Sequence, residues 1–517
     1  MENAEETTTG RSLTSVDGPL VALAVLLPLC VYLASLPQSV SAWDIAEMQT
    51  APYVLGIPHP TGFPFFILSG WLFSHLFAFG NVAWRMNVFS ALTTAGTSGL
   101  LYLTSRGLGA TRTGALFGAL LYAAGDYVWK KAMGPDVHVL TVFCTAAALF
   151  FLARYLRSDE PRELWCAAAA VGFGLATHPN ALWTIPALAF AFLTSRKRSL
   201  GIALAASGAL LAPLLLYLYM PIRSSFVAAA GLDLHAGLPN IPGGTGSSLI
   251  WDTNATRTFP GFAREILGSG SGAGGTLTSI LHLEKYPEYA SYWWSNALPE
   301  IGLLAMVLAV LGLVALWQSN RRATVLLLLA AFCPVPFAFS YGYNESDSER
   351  YLLASFAVTA VFASFAPQLR VRFVRHAPLS LLLAAALLFT TGQLAYANRG
   401  EFVSSAQENY DSVIEQIRTE TPPDAIIFCS WSVATTLAYG EDIEGVLGRR
   451  IILQIGPDSA VAEIPAWRRL HRIFVYSDWI LGPEVPRLPA QWVTETPTAL
   501  GQTKIYELCA DPSACPL

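Results

Sequence analysis

Two carboxylates stand three positions apart in Trp43-Asp44-Ile45-Ala46-Glu47. In a helix that spacing puts both on one face. A carboxylate so placed can accept a proton from a hydroxyl nucleophile or help hold a divalent cation. Downstream, Gly56-Ile57-Pro58-His59-Pro60-Thr61-Gly62-Phe63-Pro64 sets three prolines and two glycines into one short stretch. Such a backbone turns sharply and stays put, so it can hold His59 in a fixed place. Asp136 and His138 follow Gly134-Pro135 at the start of an apolar run, and His178-Pro179-Asn180 separates two further runs. Arg223 and Arg350 each stand beside an apolar segment. An ionisable group at the membrane face is a functional candidate, and a guanidinium is a natural partner for phosphate. Each feature also has a plain reading: solvated loop acids, a simple chain reversal, or an arginine snorkelling to the interface.

The elements that must position these residues are membrane helices. Of 517 residues, 53% are hydrophobic and 13% charged, about half the charge of an ordinary soluble domain. Net charge is −5, so no bulk basic character points to nucleic acid. The seven cysteines show no metal-binding spacing, and no cluster compels a metal. Apolar segments of near-spanning length cover 20–36, 86–105, 113–127, 137–156, 164–178, 180–194, 199–220, 298–317, 323–342, 351–367 and 377–397. The expected fold is therefore an all-α polytopic membrane bundle of about eleven transmembrane helices. The pair 164–178 and 180–194 also reads as one helix broken at His178-Pro179. A twelfth stretch, 63–79, follows a proline cluster and reads as a re-entrant or interfacial helix.

Loop charges set the orientation. Arg106 and Arg112; Arg154, Arg157 and Arg162; Arg196, Lys197 and Arg198; Arg321 and Arg322; and Arg370, Arg372 and Arg375 fall on alternate connections. The positive-inside rule makes these cytoplasmic, together with a disordered N-terminus over 1–18. The outer loops are then 37–85 and 221–297 within a membrane domain 19–397, followed by an extracytoplasmic domain 398–517. In this last region β-rich runs at 425–428, 451–454, 473–476 and 503–506 alternate with helical stretches near 403–419, 431–440 and 459–470, the pattern of a small α/β domain. Cys509 and Cys515 are close enough in sequence to pair there or to remain thiols. Gly268 to Gly275 reads as a flexible linker. Ser39-Val40-Ser41-Ala42 has the look of a signal-peptidase site, but the leader lacks a basic start, which favours an uncleaved first helix.

At residues 43–92 the chain resembles a known family. The run WDIAEMQTAPYVLGIPHPTGFPFFILSGWLF, continuing as FGNVAWRMNVFSAL, is similar to the W-D-S-G-E, L-G-V-x-H-P-P-G-x-P and G-N-x-A-W-R-x-N-x-x-S-A pattern of domain-of-unknown-function family 2723. That family is related to the protein O-mannosyltransferases and the GT-C glycosyltransferase superfamily. GPDVHVLTVF, GLATHPNALWTIPAL, LYLYMPIRSS, IWDTNATRTFPGFAREILG and RYLLASF extend the likeness more weakly. The resemblance implies a GT-C-like membrane bundle with Asp44 and Glu47 at the active site. It places His59, Arg85, Asn87, His178 and Arg223 on motif positions, and Asp136 where glutamate is usual. Ile45-Ala46 replaces the usual Ser-Gly, and Thr61 replaces a proline.

Together these readings point to a membrane glycosyltransferase. It would move a sugar, such as mannose, from a polyprenyl-phosphate donor to a hydroxyl acceptor at the outer face. Asp44 and Glu47 are the expected catalytic pair. His59, Arg85, Asn87, Asp136, His138, His178, Arg223 and Arg350 are the expected substrate- and phosphate-binding set. The lipid-linked sugar is a co-substrate, a divalent metal is left open, and membrane lipids and an acceptor protein or glycan are the expected partners. The expected location is a bacterial plasma membrane. A transporter or flippase, or a non-catalytic envelope scaffold, is the competing class. Transporters show repeats and midplane charges, whereas here no convincing repeat is visible and the ionisable groups gather at one face.

Overall fold

The computed structural model describes residues 15–234, 238, 249–268, 281–342, 348–371, 374–400, 409–454, 463–477, 490–498 and 501–508. The expected linker 268–275 beyond its first residue, the Cys509 and Cys515 pair, and most of the N-terminal 1–18 lie outside the described residues. The first eight helices are α1 (Asp17–Leu33), α2 (Trp43–Val54), α3 (Pro64–Leu76), α4 (Val82–Gly107), α5 (Arg112–Ala123), α6 (Asp126–Met133), α7 (Val137–Ser158) and α8 (Pro161–Leu175).

The membrane bundle departs from the expected eleven spans. Among the described residues, five helical stretches are long and apolar enough to cross a bilayer: Val137–Ser158, Leu200–Ala230, Arg321–Ser340, Ser348–Gln368 and His376–Ala397. A sixth would be Leu283–Ile301 with Leu303–Ser319, which bend by 112° at Gly302. The other expected spans fall short for two reasons. Some are short: α1 has 17 residues, α5 has 12 and α8 has 15. By contrast α4 is long but polar. Its hydroxyls turn back onto the helix, Thr93 to Phe89 O at 2.7 Å, Thr94 to Ser90 O at 3.0 Å and Thr104 to Leu100 O at 2.8 Å. That satisfies them in an interior without water. The chain does break at His178-Pro179, where α8 gives way to a 3₁₀ turn, Pro179–Thr184, and then to Ile185–Leu193.

The outer loop 37–85 is largely helical, formed by α2, α3 and the start of α4. Arg223 does not open a loop but lies within the helix Tyr219–Ala230. Arg106, counted among the topology-setting charges, is buried. Its Nε donates to Asp17 at 2.9 Å, and Tyr102 donates to the same carboxylate at 2.8 Å. A buried ion pair needs such extra hydrogen bonds to offset its desolvation.

Helices approach closely where side chains are missing. Gly114 and Gly118, four apart on α5, face Ser364 and the Ala360 carbonyl so tightly that a Cβ at either would collide. Small residues at this spacing let membrane helices pack backbone to backbone.

The C-terminal domain is a five-stranded sheet in the order β2-β1-β3-β5-β4. β1 (Ile426–Phe428) pairs in parallel with β2 (Ile451–Leu453) and β3 (Ile473–Ser477), while β5 (Gly501–Leu508) runs antiparallel to β3 and to β4 (Ala490–Thr498). Ile426, Ile427 and Phe428 of β1 are wholly buried, as a central parallel strand covered on both faces requires. The helix Trp431–Asp442 follows β1 and packs against α2. Val433, Ala434 and Leu437 join Val40, Ala46, Val82 and Ala83 in one buried apolar cluster, so the domain is docked onto the membrane bundle through α2.

Candidate active site

α2 begins at Trp43, whose φ of 58° is left-handed. A bulky side chain tolerates this conformation only where its surroundings enforce it. The turn aims the first helical carboxylate, Asp44, at a cavity of about 790 Å³. The cavity is lined by Asp44, Ile45, His59, Lys131, Asp136, His138, His178, Arg350, Tyr351 and Trp431, among others. Gly134 lies against Ile45, and a Cβ there would sit 3.0 Å from the isoleucine side chain. The Ile45 that departs from the usual motif is thus matched by a glycine across the site.

Asp44 is gripped at both oxygens. Arg350 Nη1 donates to Oδ2 at 3.3 Å and Trp431 Nε1 donates to Oδ1 at 3.0 Å. Burial works against its charge, but His59, Arg350 and the Trp431 hydrogen bond outweigh burial and hold the carboxyl below its usual range. Glu47, one turn on, is fully buried and is not part of the cavity lining. It holds His59, whose Nδ1 lies 2.5 Å from Oε2 and whose backbone N–H donates to Oε1 at 2.9 Å. Burial disfavours a charged His59. Glu47 overcomes that penalty, with Asp44 and Glu265 adding to it, and the imidazole is raised to about 9. It is therefore a cation at neutral pH.

The opposite wall is built at the start of α7. Asp136 caps the helix by accepting the His138 N–H at 2.7 Å and His138 Nδ1 at 2.9 Å, and Lys131 Nζ sits 3.0 Å away. Burial raises the Asp136 carboxyl, and Lys131 and His138 more than reverse this, so it stays ionised. The rings of His138 and His178 lie 4.3 Å apart, and both contact Tyr351. Burial first, and then the charges of His138 and Arg350, push His178 well below its usual value, so it is neutral. His138 Nε2 is buried with no hydrogen-bond partner among the described residues, which leaves it a polar atom to offer a ligand.

Of the expected site residues, Asp44, His59, Asp136, His138, His178 and Arg350 come together on this cavity, with Glu47 directly behind. Three do not reach it. Arg85 donates to the carbonyls of Phe79, Ser74 and Gly80 and so ties the α3–α4 turn. Asn87, fully buried, accepts from Gln49 at 2.9 Å and donates to Pro37 O at 3.0 Å. Arg223 donates to Leu55 O and Val54 O, both at 2.8 Å, and closes the C-terminus of α2. These three hold α2 and its neighbours in place. Polar and aromatic lining residues that were not expected include Lys131, Tyr351, Tyr410 and Trp431. Tyr351 adjoins Arg350 in sequence, but nothing local to Tyr410 or Trp431 signals a part in a site that begins at Asp44.

Asp44, Glu47 and His59 offer donor atoms within 4.8 Å of one another. Within this trio Glu47 and His59 hydrogen-bond each other directly, while the hydrogen bonds of Asp44 go to Arg350 and Trp431.

Residues 44–201 match the family model described as the N-terminal domain of protein O-mannosyl-transferase TMEM260. The mouse protein O-mannosyl-transferase TMEM260 is 26% identical over 359 residues, which is 64% of this chain and 47% of that protein. The chain therefore spans about half the length of this curated relative. Among solved structures, ArnT from Cupriavidus metallidurans bound to undecaprenyl phosphate aligns over 98% of this chain and all of its own, with a TM-score of 0.53 at 12% identity. Mycobacterial arabinofuranosyltransferase AftD aligns over 97% of this chain and 42% of its own, with a TM-score of 0.50 at 14% identity. The chain shares the fold of these two structures over nearly all of its length, and residues 44–201 carry the TMEM260 N-terminal pattern.

Proposed function

We propose that this chain is a polyprenyl-phosphate-dependent glycosyltransferase. The observation that carries the reading is Asp44: an ionised carboxylate on the wall of a cavity that also carries positive charges at His59, Lys131 and Arg350, with the ionised Asp136 tied up by Lys131 and His138 on the opposite wall. Such a cavity suits an anionic donor beside a base. The acceptor hydroxyl gives its proton to Asp44 as its oxygen attacks the anomeric carbon. The bond from that carbon to the lipid phosphate breaks, the configuration inverts, and the phosphate leaves with the bonding electrons. Arg350 is the arginine of the cavity and takes the role of stabilising that leaving charge, which leaves Arg223 to its structural task. The likeness to a protein O-mannosyl-transferase supports mannose as the sugar and a protein hydroxyl as the acceptor.

Helix direction supports an outer-face site. α7 runs 22 residues from Asp136 at the cavity to Arg157 at its far end, about 30 Å. Ser348–Gln368 likewise starts at Arg350 and ends just before Arg370. Both helices carry the site at one end and basic residues at the other, which by the positive-inside rule is cytoplasmic.

The test is transfer of radiolabelled mannose from a polyprenyl-phosphate donor by the reconstituted protein. Asp44→Asn keeps the shape and should lower the rate by about 10²- to 10⁴-fold while insertion and folding persist. Transfer at the normal rate by this variant overturns the assignment of the base.

A further inference from the structure

One wall of the cavity is not supplied by the membrane bundle. Trp431 belongs to the C-terminal domain, yet its Nε1 reaches Asp44 across 387 residues of sequence. Its indole also stands edge-on to the His59 ring, 5.7 Å between centroids. The contact does not hang on one side chain. Thr436 Oγ1 donates to Ser41 O at 2.8 Å, just before α2, and the Ala83 N–H donates to Tyr439 OH at 3.2 Å. Tyr410, from the approach to the same domain, lines the cavity as well. The domain is thus seated on the helix that carries the base.

A carboxylate can turn about its Cβ–Cγ bond, which has broad and shallow minima. Asp44 cannot turn freely here, because Arg350 holds one oxygen and Trp431 the other. An indole N–H is suited to this task. It donates but cannot accept, so it orients the carboxylate without taking a proton from it or from an acceptor hydroxyl. We infer that Trp431 is a positioning residue for the transfer step, and that the C-terminal domain completes the active site by fixing the carboxylate of Asp44. This rests on the reading of Asp44 as the base. Misplacing a base by a fraction of an ångström affects the reacting geometry more than ground-state binding, so the loss should fall on kcat.

Trp431→Phe removes the donor and keeps the ring against His59. In the full chain, with the radiolabelled polyprenyl-phosphate mannose as probe, kcat should fall about tenfold, with KM for the donor within about twofold. In the Asp44→Asn background the same change should cost nothing further, since the bond it removes has lost its purpose. An unchanged kcat in Trp431→Phe beside an active wild type overturns the positioning role alone. So does a loss confined to KM, or a loss that adds in full to that of Asp44→Asn, which would mark a merely structural tryptophan. Wild-type protein that transfers no sugar overturns the function and, with it, this inference.

Discussion

At the scale of single residues, the pair Glu47–His59 decides how the base behaves. His59 is a cation because Glu47 contacts it directly, and its charge in turn favours ionised Asp44. Its folded value, about 9, lies above the usual imidazole value of 6.5. The stabilisation is therefore fully present below pH 6.5 and is lost as pH rises through 9. Glu47→Gln removes the partner of a half-buried cation, a change that should cost less than the about 3–5 kcal/mol typical of a fully buried pair. The variant should unfold at a clearly lower temperature than wild type at pH 7, and the gap should narrow towards pH 10, as thermal melts of the detergent-solubilised protein would show. A constant gap across that range would remove the charged pair from the account. The roles of these residues were partly open to sequence reasoning. Asp44, Glu47 and His59 lie within one short stretch, and the proline-rich turn between them has a local cause. That Glu47 serves His59 and not the cavity depends on how α2 is rotated, and spacing cannot supply that rotation.

At the scale of elements, span counting by hydropathy and the packed bundle disagree for a physical reason. A helix buried among helices need not be apolar throughout or long enough to cross alone. It needs its polar atoms satisfied and its surface matched, as α4 achieves with back-bonded threonines and α5 with two glycines. Nor does a count of basic residues separate a surface charge from one spent inside, as Arg106 is on Asp17. The contact between α5 and Ser364 can be tested. Gly118→Leu forces a side chain into the Ser364 hydroxyl and the Ala360 carbonyl and should destabilise by about 1–3 kcal/mol. Gly208, on Leu200–Leu211, has open space around its Cβ position, so Gly208→Leu should leave the melting temperature within the error of the wild type. Equal effects at the two sites would deny α5 its special packing.

At the scale of the whole molecule, the seam between domain and bundle carries a set of acids that sequence order gave no reason to group. Glu441 and Asp442 end the docking helix and line a small pocket with Leu249, Ile250 and Trp251 of the outer loop. Burial raises Asp442 to about 7 in spite of a hydrogen bond from Trp251, and Asp233 adds to the rise. Burial also raises Glu441, with Asp442 and Asp233 contributing. Arg223 stands 5.5 Å from the Trp251 ring but is committed to the end of α2. Both acids are thus raised above their unfolded values. The docking they support is fully present below the usual carboxylate range and weakens as pH climbs through about 7. Hydrogen exchange in the helix Trp431–Asp442 should accordingly be faster at pH 8 than at pH 6, after correction for the intrinsic rate. Asp442→Asn keeps the Trp251 contact and removes one titrating group, so it should reduce that difference. Because the same helix begins at Trp431, loosening at its far end would reach Asp44, and transfer should decline over the same pH interval in wild type but less in Asp442→Asn. An exchange rate that is independent of pH across the seam would separate the domain's seating from these acids.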